Sequence, residues 1–350
     1  MIKVLIVDDS ALIRKIITDI LEEDREIKVI GTAKDGKEAL EKIPRLKPDL
    51  ITLDIEMPVM DGISTLKSIV EKHQIPVVML SSLTVKGADL TLKALEIGAV
   101  DFITKPRNVF NIGSKDEKNQ LIEKVKMASK TKVKKVGVYN RNIEKIKENT
   151  IKRTDYIDKP YGSIVAIGTS TGGPKALQEI IPNLPYNINA SIVVVQHMPA
   201  GFTRSLANRL NSISQIKVKE GENGEKLKRG YCYIAPGDFH MSVEQNKRDF
   251  FIKLDKSSPI SGLRPTADVL LKSVSKLNGI KKIGIILTGM GSDGAEGISQ
   301  FKKSNGYTIA ESEESCVVFG MPKSAINTGK IDLILPLNKI KDEIIKWVGV

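Results

Sequence analysis

The sequence predicts an α/β protein of two doubly wound domains, each built on a mostly parallel sheet. Three observations support this prediction. The chain has 350 residues, 41% of them hydrophobic, which is typical of two domains with a core each. In both halves, short apolar runs alternate with segments of helical period. A strongly basic segment, 126–160, interrupts that alternation, so we place the domains at 1–125 and 161–350.

Five apolar runs in the first half predict strands: IKVLIV, IKVIG, DLITL, PVVML and VDFI. Between the runs, apolar residues recur at helical spacing, as at Leu12, Ile16 and Ile20. Strands that alternate with helices form a parallel sheet, and ligands of such sheets bind at the carboxyl ends of the strands. Residues that carry chemistry should therefore follow the apolar runs.

Charged and hydroxyl side chains do follow these runs. Asp8 and Asp9 come after the first, Asp54 after the third, Ser81 after the fourth and Lys105 after the fifth. Three carboxylates at one sheet edge repel each other unless they share a cation, and Mg²⁺ prefers such oxygen ligands. A cation, an ammonium and a hydroxyl together suit a phosphoryl group. The pattern predicts that Asp54 becomes an aspartyl phosphate.

The segments around these residues resemble the receiver domain of two-component response regulators, which has a flavodoxin-like sheet. They are IVDD (6–9), LDIEMPVMDG (53–62), LSS (80–82) and DFITKP (101–106). The resemblance implies that Asp54 is the phosphoacceptor, that a histidine kinase is the phosphodonor and that Phe102 is the aromatic switch residue. It also implies a Mg²⁺ site formed by Asp8, Asp9, Asp54 and the backbone of Glu56.

The segment 126–160 carries 11 basic and 4 acidic residues, whereas the first 125 residues carry 19 and 21. We interpret it as a solvated linker. A nucleic-acid-binding tail is the alternative, but Tyr139 and Tyr156 are its only aromatic residues, too few to stack bases along a strand. We therefore expect no nucleic-acid partner.

The second half repeats the α/β alternation, with strands predicted at SIVAIG, ASIVVVQ, IGIIL and YTIA. Further β-rich segments, KVKE, YCYIA, HMSVEQ and FFIKL, indicate a small antiparallel insertion. The segment IVAIGTSTGGP (164–174) reads as a strand, a sharp turn and a helix, a context that exposes a serine nucleophile, here Ser170. It lacks the spacing of a dinucleotide-binding loop and the lysine of a phosphate-binding loop.

A serine nucleophile needs a base, and His197 ends the strand expected beside that of Ser170. His240 is the second choice because it lies within the insertion. Asp293, after IGIIL, would orient the imidazole. Such an aspartate can also cap the following helix, instead of or in addition to that role. Backbone N–H groups at Thr171 and Met290 are placed to receive an oxyanion. This chemistry is acyl transfer without a cofactor.

Six segments of the second half resemble the catalytic domain of the chemotaxis protein-glutamate methylesterases, the CheB family. They are GTSTGGP (168–174), QHMPAGFTRSLANRLN (196–211), YIAPGDFHM (233–241), RPTADVLL (264–271), LTGMGSDGAEG (287–297) and ESCVVFGMP (314–322). The resemblance implies hydrolysis of glutamate γ-methyl esters on chemoreceptors, with methanol released, and deamidation of receptor glutamines. A receiver that covers the triad at rest would make phosphorylation the activating event.

Other features bear on location and on the competing classes of protein. The chain has two cysteines, Cys232 and Cys316, and no apolar run long enough for a signal peptide or a membrane span, so we expect a cytoplasmic protein without membrane insertion. The alternatives are a nucleic-acid-binding response regulator and an adaptor without catalysis. Neither would need Ser170.

Overall fold

The computed structural model describes residues 1–105, 115–131 and 161–350, with side chains from 118 onward in the second of these ranges. The chain divides into two compact units, Met1–Arg141 and Asn142–Val350. Each is a doubly wound α/β unit, as predicted from the sequence.

The N-terminal unit is a five-stranded parallel sheet in the order β2-β1-β3-β4-β5. This is the flavodoxin-like order, whose strand sequence reverses between β1 and β3. Its elements are β1 (Ile2–Val7), α1 (Ala11–Leu21), β2 (Ile27–Ala33), α2 (Gly36–Leu46), β3 (Leu50–Asp54), α3 (Gly62–Lys72), β4 (Val77–Ser81), α4 (Val85–Ile97), β5 (Asp101–Thr104) and α5 (Lys115–Ser129).

Short polar side chains set the starts of four helices in this unit. Ser10, Asp35, Asp61 and Thr84 each accept a hydrogen bond from a backbone N–H in the first turn of the next helix. Such caps satisfy donors that have no partner inside a helix, and each stabilises the helix by about 1 kcal/mol. The loops after β1, β2, β3 and β4 therefore have defined ends at the edge of the sheet where chemistry is expected.

The last helix of this unit extends beyond the predicted domain limit of residue 125. α5 continues to Ser129, and Lys126 forms ion pairs with Asp24 at 3.1 Å and with Glu26 at 2.7 Å. Lys126 therefore belongs to the N-terminal unit and not to a solvated linker. Most of the predicted linker, including Tyr139 and Tyr156, lies outside the described residues.

The C-terminal unit is a seven-stranded parallel sheet in the order β14-β13-β12-β6-β7-β9-β8. A separate antiparallel hairpin, β10–β11, is the predicted insertion, but it contains only two of the four β-rich segments. The segments KVKE and YCYI are instead parallel strands at one edge of the main sheet. The elements are β6 (Ser163–Thr169), α6 (Gly173–Ile180), β7 (Ala190–Gln196), α7 (Phe202–Ile213), β8 (Lys217–Glu220), β9 (Tyr231–Ile234), β10 (His240–Asn246), β11 (Asp249–Asp255), α8 (Ala267–Ser275), β12 (Lys281–Ile286), α9 (Ala295–Lys303), β13 (Tyr307–Glu311), α10 (Met321–Asn327), β14 (Leu333–Leu335) and α11 (Leu337–Val348).

The strand order of this sheet reverses at β6. From β6 the chain moves outward through β7 to one edge, and from β12 it moves outward through β13 and β14 to the other. A crevice opens at the carboxyl ends of the strands where such a reversal occurs. The loops after β6, β7 and β12 meet there.

The central parallel strands, covered on both faces, are expected to be buried. Every residue of β6 and β7 is buried, and β12 is buried from Lys282 onward. Side chains of α8 and α9, among them Leu271 and Phe301, are 0% exposed in the core of this unit. No helix in the described parts of the chain combines the length and apolar composition that crossing a bilayer requires.

Candidate active site

The predicted phosphoacceptor cluster forms at the carboxyl edge of the N-terminal sheet. Asp8, Asp9 and Asp54 place carboxylate oxygens within 4.8 Å of one another. The Lys105 ammonium lies 2.8 Å from Asp8 Oδ2 and 2.7 Å from Asp54 Oδ2. Because these residues follow β1, β3 and β5, the cluster occupies the point where the strand order reverses.

Burial and the neighbouring charges shift the pKa values of this cluster. Burial raises the pKa of Asp54 to about 6, with Lys105 opposing the rise and Asp8 adding to it. Burial also favours the neutral form of Lys105, but hydrogen bonds to the two carboxylates dominate, and its pKa is raised. Within the described residues, the buried Asp8 Oδ2 and Asp54 Oδ2 have no hydrogen-bond donor other than the Lys105 ammonium. These residues therefore fit a divalent cation.

The remaining residues predicted for this cluster are Ser81, Glu56 and Phe102. Ser81 is fully buried, and its hydroxyl accepts from Thr91 at 2.7 Å and approaches the carbonyls of Ser82 and Gly87. The backbone N–H of Glu56 donates to Asp54 Oδ1 at 3.4 Å. Phe102 is 4% exposed, with the Lys124 ammonium 5.3 Å from its ring centre. Ser81 and Phe102 are thus held in the interior.

In the second unit, Ser170 lies on a tight turn between β6 and α6. Its N–H donates to Thr288 O at 3.1 Å, and its C=O accepts from Gly173 at 2.8 Å and from the Gln196 side chain at 2.9 Å. Gly172 has a φ of 80°, and a Cβ there would lie 2.6 Å from Val317. Only glycine meets both requirements at once, so the turn has the predicted geometry.

His197 is brought beside this turn by the pairing of β6 with β7. Thr169 pairs with Gln196, and the His197 N–H donates to Thr169 O at 3.1 Å. His197 Nε2 lies 2.7 Å from Asp293 Oδ2, and both side chains are less than a tenth exposed. Among the described residues, the hydrogen bonds of Ser170 involve its main chain, so its hydroxyl is not bonded to the imidazole.

The pairing with Asp293 determines which imidazole nitrogen is left to accept a proton. An ionised carboxylate only accepts hydrogen bonds, so Nε2 carries the proton in the neutral ring and Nδ1 is left as the acceptor. This is the reverse of the arrangement in the serine-protease template, where the aspartate binds Nδ1. Nδ1 of His197 is therefore the base available to a serine.

Asp293 has a structural role different from the one the sequence suggested. The expectation that it caps the helix following it is wrong, because the N-cap of α9 is Gly294, which makes no side-chain cap. Asp293 instead accepts from the N–H groups of Ala267 at 2.6 Å and Asp268 at 3.0 Å, at the start of α8. Asp268 in turn accepts from Gly297 in α9 at 2.6 Å. Asp293, in the loop before α9, thus caps α8, and Asp268 in α8 caps α9.

This arrangement keeps the Asp293 carboxylate ionised although it is buried. Burial alone would raise its pKa, but the hydrogen bond and charge of His197 and the two backbone donors outweigh burial, and the pKa is lowered. Donors at a helix N-terminus favour negative charge, as does the helix dipole. Asp293 is thereby able to orient His197 and to stabilise its protonated form.

The loop after β12 approaches Ser170 closely. At Gly289, a Cβ would lie 2.3 Å from Met321 Sδ and 2.9 Å from Ser170 Cβ, so this position requires glycine. The Gly289 N–H donates to Val318 O at 3.0 Å. Within the described residues, the N–H of the next residue, Met290, has no protein acceptor, as expected of an oxyanion donor. Thr171 is 6% exposed in the turn beside Ser170.

His240, the second choice as base, is placed elsewhere. It is 2% exposed, and its ring nitrogens lie 3.3 Å from Ser258 O and 3.4 Å from Thr266 Oγ1. Sequence reasoning missed three residues that hold the site, Gln196, Thr288 and Glu311, all of them at or just after strand ends. Asp293 was identified by the rule that residues carrying chemistry follow the strands, and the same rule could have identified these three residues.

Comparisons with known proteins agree with this architecture. Residues 4–114 match the family model described as response regulator receiver domain, and residues 165–344 match CheB methylesterase. A relative from Syntrophomonas wolfei, named protein-glutamate methylesterase/protein-glutamine glutaminase 1, is 47% identical and aligns over 99% of each chain. A relative from Archaeoglobus fulgidus, of the same name without the number, is 49% identical over 99% of this chain and 98% of its own.

A solved structure extends the agreement to three dimensions. The C-terminal half is similar to the crystal structure of the CheB methylesterase catalytic domain of Thermotoga maritima, with 52% identity and a TM-score of 0.52. That match covers 53% of this chain and 99% of the other. Together with the two family models and the full-length relatives, it leads to one assignment: the chain belongs to the CheB methylesterase family and carries the response regulator receiver domain of that family at its N-terminus.

Proposed function

We propose that this protein is a phosphorylation-activated serine hydrolase that removes methyl groups from glutamate γ-methyl esters of chemoreceptors and deamidates receptor glutamines. The full-length similarity to relatives of that name supports the substrate class. The observation that carries the chemistry is the His197–Asp293 pair at 2.7 Å, directly beside the Ser170 turn. We place the reaction in the cytoplasm, where the receptor's modified helices lie by family resemblance.

The first half of the reaction forms an acyl-enzyme. The Ser170 hydroxyl turns about its χ1 bond toward His197 Nδ1, gives up its proton there and attacks the ester carbonyl carbon. Asp293 stabilises the imidazolium that results. The negative oxygen of the tetrahedral intermediate is received by the N–H groups of Thr171 and Met290. As the intermediate collapses, His197 returns the proton to the methoxy group, and methanol leaves.

The second half of the reaction repeats these roles with water. His197 takes a proton from a water molecule, which attacks the acyl-enzyme, and Ser170 leaves with a proton from the imidazole. The product is a glutamate side chain. A glutamine substrate follows the same course, except that ammonia is the first leaving group. Both activities therefore depend on the same three side chains.

The cluster around Asp54 supplies the control. Asp8, Asp9, Asp54 and the Glu56 backbone would hold Mg²⁺, which neutralises phosphoryl charge when bound. Lys105 is already within ion-pair distance of Asp54 and would pair with a phosphoryl oxygen. A histidine kinase is the proposed phosphodonor. The alternative of a nucleic-acid-binding or adaptor regulator has no support, because the C-terminal unit is an α/β sheet of the CheB methylesterase family.

Control by Asp54 can be tested with methylated chemoreceptor membranes. We expect a phosphodonor to raise methanol release by the wild type, whereas Asp54→Asn should keep the unstimulated rate and lose all of the stimulation. Asp61→Asn is the matched control, because it changes a carboxylate of the same loop that caps α3 and asparagine caps equally well. Equal rates for the wild type and Asp54→Asn in the presence of phosphodonor would contradict the proposed control.

A further inference from the structure

A single residue, Thr288, holds the main chain on both sides of the nucleophile. Its C=O accepts from the Ser170 N–H at 3.1 Å and from the Thr169 hydroxyl at 2.9 Å. Its own hydroxyl donates to Thr171 O at 2.9 Å and accepts from the Val318 N–H at 3.0 Å. Met290, with its proposed oxyanion donor, is two residues further along. The position of Thr288 thus sets the geometry of nucleophile and oxyanion site together.

Thr288 is in turn held by a buried carboxylate. Its N–H donates to Glu311 Oε2 at 2.8 Å. Glu311 is the last residue of β13, is 0% exposed, and accepts from the Ser315 hydroxyl through Oε1 at 2.9 Å. Among the described residues, no lysine, arginine or histidine forms an ion pair with it. A carboxylate in such a place costs stability unless its hydrogen bonds are well made, and burial raises its pKa.

We infer that Glu311 is a positioning residue of the hydrolytic site. It acts through Thr288 to hold Ser170 and the Met290 N–H in the correct relative positions. This inference rests on the proposed role of Ser170 as the nucleophile. The contact that matters is an acceptor aimed at the Thr288 N–H, and a charge is not required for it. A glutamine keeps the contact with Thr288, because its oxygen accepts from the Thr288 N–H while its amide donates to the Ser315 hydroxyl, which rotates to accept. The Cys316 thiol, which also hydrogen-bonds to the Glu311 carboxylate, is a weak donor whose loss costs little beside that contact.

Three variants of the full chain separate positioning from general stability. Glu311→Leu fills the space but removes the acceptor. Glu311→Gln keeps the acceptor and removes the charge. Asp332→Ala is the matched control, because Asp332 accepts from the Thr308 N–H at the opposite end of β13, at 2.9 Å. It removes a carboxylate that lies just before β14 and binds β13, and it leaves the Thr288 loop intact.

Three measurements are made on each variant. The first is kcat and KM for methanol release from methylated receptor. The second is the rate at which a fluorophosphonate labels Ser170, a reaction that needs no receptor; fluoride leaves phosphorus as the serine oxygen bonds to it, and Ser170→Ala gives the blank. The third is amide hydrogen exchange of the segments 165–172 and 286–291, which reports loop order whether or not the enzyme is active.

We expect Glu311→Leu to lower kcat and the labelling rate by about 10²-fold, the loss that a misplacement of roughly 1 Å causes, with KM unchanged. Exchange in the two segments should accelerate. Glu311→Gln should restore all three readouts to within a few-fold, and Asp332→Ala should leave kcat at the wild-type value.

Unchanged labelling and exchange in Glu311→Leu would overturn the inference, as would a Glu311→Gln variant as defective as Glu311→Leu. Should Glu311→Leu fail to fold, Glu311→Gln decides alone, since wild-type kcat and exchange are required of it. A wild type that neither releases methanol nor is labelled would refute the proposed function, and the exchange data would still decide the role of Glu311.

Discussion

Replacing Ser170 with alanine is expected to reduce methanol release by about 10⁶-fold, the loss seen when a serine hydrolase loses its nucleophile. The variant can form no acyl-enzyme at this position, because it lacks the hydroxyl proposed to attack the ester carbonyl. Ammonia release from receptor glutamines should fall equally, since both reactions use the same attack. Both products are measured on methylated and on glutamine-containing receptor, in the presence of a phosphodonor.

The Ser170→Ala variant is expected to fold, because the hydrogen bonds of Ser170 to Thr288, Gly173 and Gln196 all use its main chain. Phosphorylation of Asp54 should be unaffected and serves as an internal check. Ser324→Ala is the matched control: it removes a hydroxyl that donates to Gly291 O at 3.3 Å in the neighbouring loop. Residual hydrolysis above about 1% of the wild-type rate would be incompatible with a serine acyl-enzyme.

Much of this architecture could be predicted because parallel α/β sheets concentrate chemistry at strand ends. Asp54 and Ser170 directly end or follow buried strands, and both lie where the strand order of their sheet reverses. Apolar runs are easily recognised in a sequence, so the residue that follows each run is readily found. The pairing of β6 with β7 then brings His197 beside Ser170 without further assumptions.

Contacts between distant segments could not be predicted in the same way. The sequence places Asp293 two residues before α9, which suggests a local cap, but its carboxylate binds the start of α8. That contact depends on how α8 and α9 lie across the sheet. It also determines that Nε2 of His197 faces the acid, a choice between two ring atoms that no sequence pattern encodes.

Domain limits were the other uncertain part of the prediction. The composition of the chain changes near residue 126, yet α5 runs to Ser129 because Lys126 pairs with acidic residues after α1. A lysine in a basic segment looks the same whether it is solvated or paired with a distant carboxylate. Charge counts alone therefore do not show where the helix ends.

Asp293→Asn is expected to lower kcat by about 10⁴-fold, the effect of the same change in a serine protease. The Asp293 carboxylate accepts hydrogen bonds from His197, Ala267 and Asp268 at once. An asparagine has one acceptor oxygen and must turn its amide toward one of these donors. If the amide faces His197, Nε2 must accept, the proton moves to Nδ1, and the ring can no longer take a proton from Ser170. If it faces Asp268, the start of α8 loses a cap.

Asp293→Asn is also expected to lower the free energy of unfolding, by an amount that depends on pH. The pKa of Asp293 is lowered in the folded protein from its ordinary value of 3.8, so its contribution to stability is present above that pH and is lost as the pH falls through the folded pKa. We expect Asp293→Asn to cost about 1–2 kcal/mol at pH 7, the range for a lost helix cap. The deficit relative to the wild type should shrink below pH 3.8.

Urea unfolding of the full chain, followed by the fluorescence of Trp347, measures this deficit. Trp347 is the only tryptophan of the sequence, and it stacks on Tyr307 in the C-terminal unit, with ring centres 5.4 Å apart, so the signal reports the unit that contains Asp293. The control is Asp268→Asn, in which the acceptor for the Gly297 N–H is retained and the contacts of Asp293 are left in place. A deficit independent of pH, or a kcat within tenfold of the wild type, would show that Asp293 neither caps α8 nor orients His197 as argued.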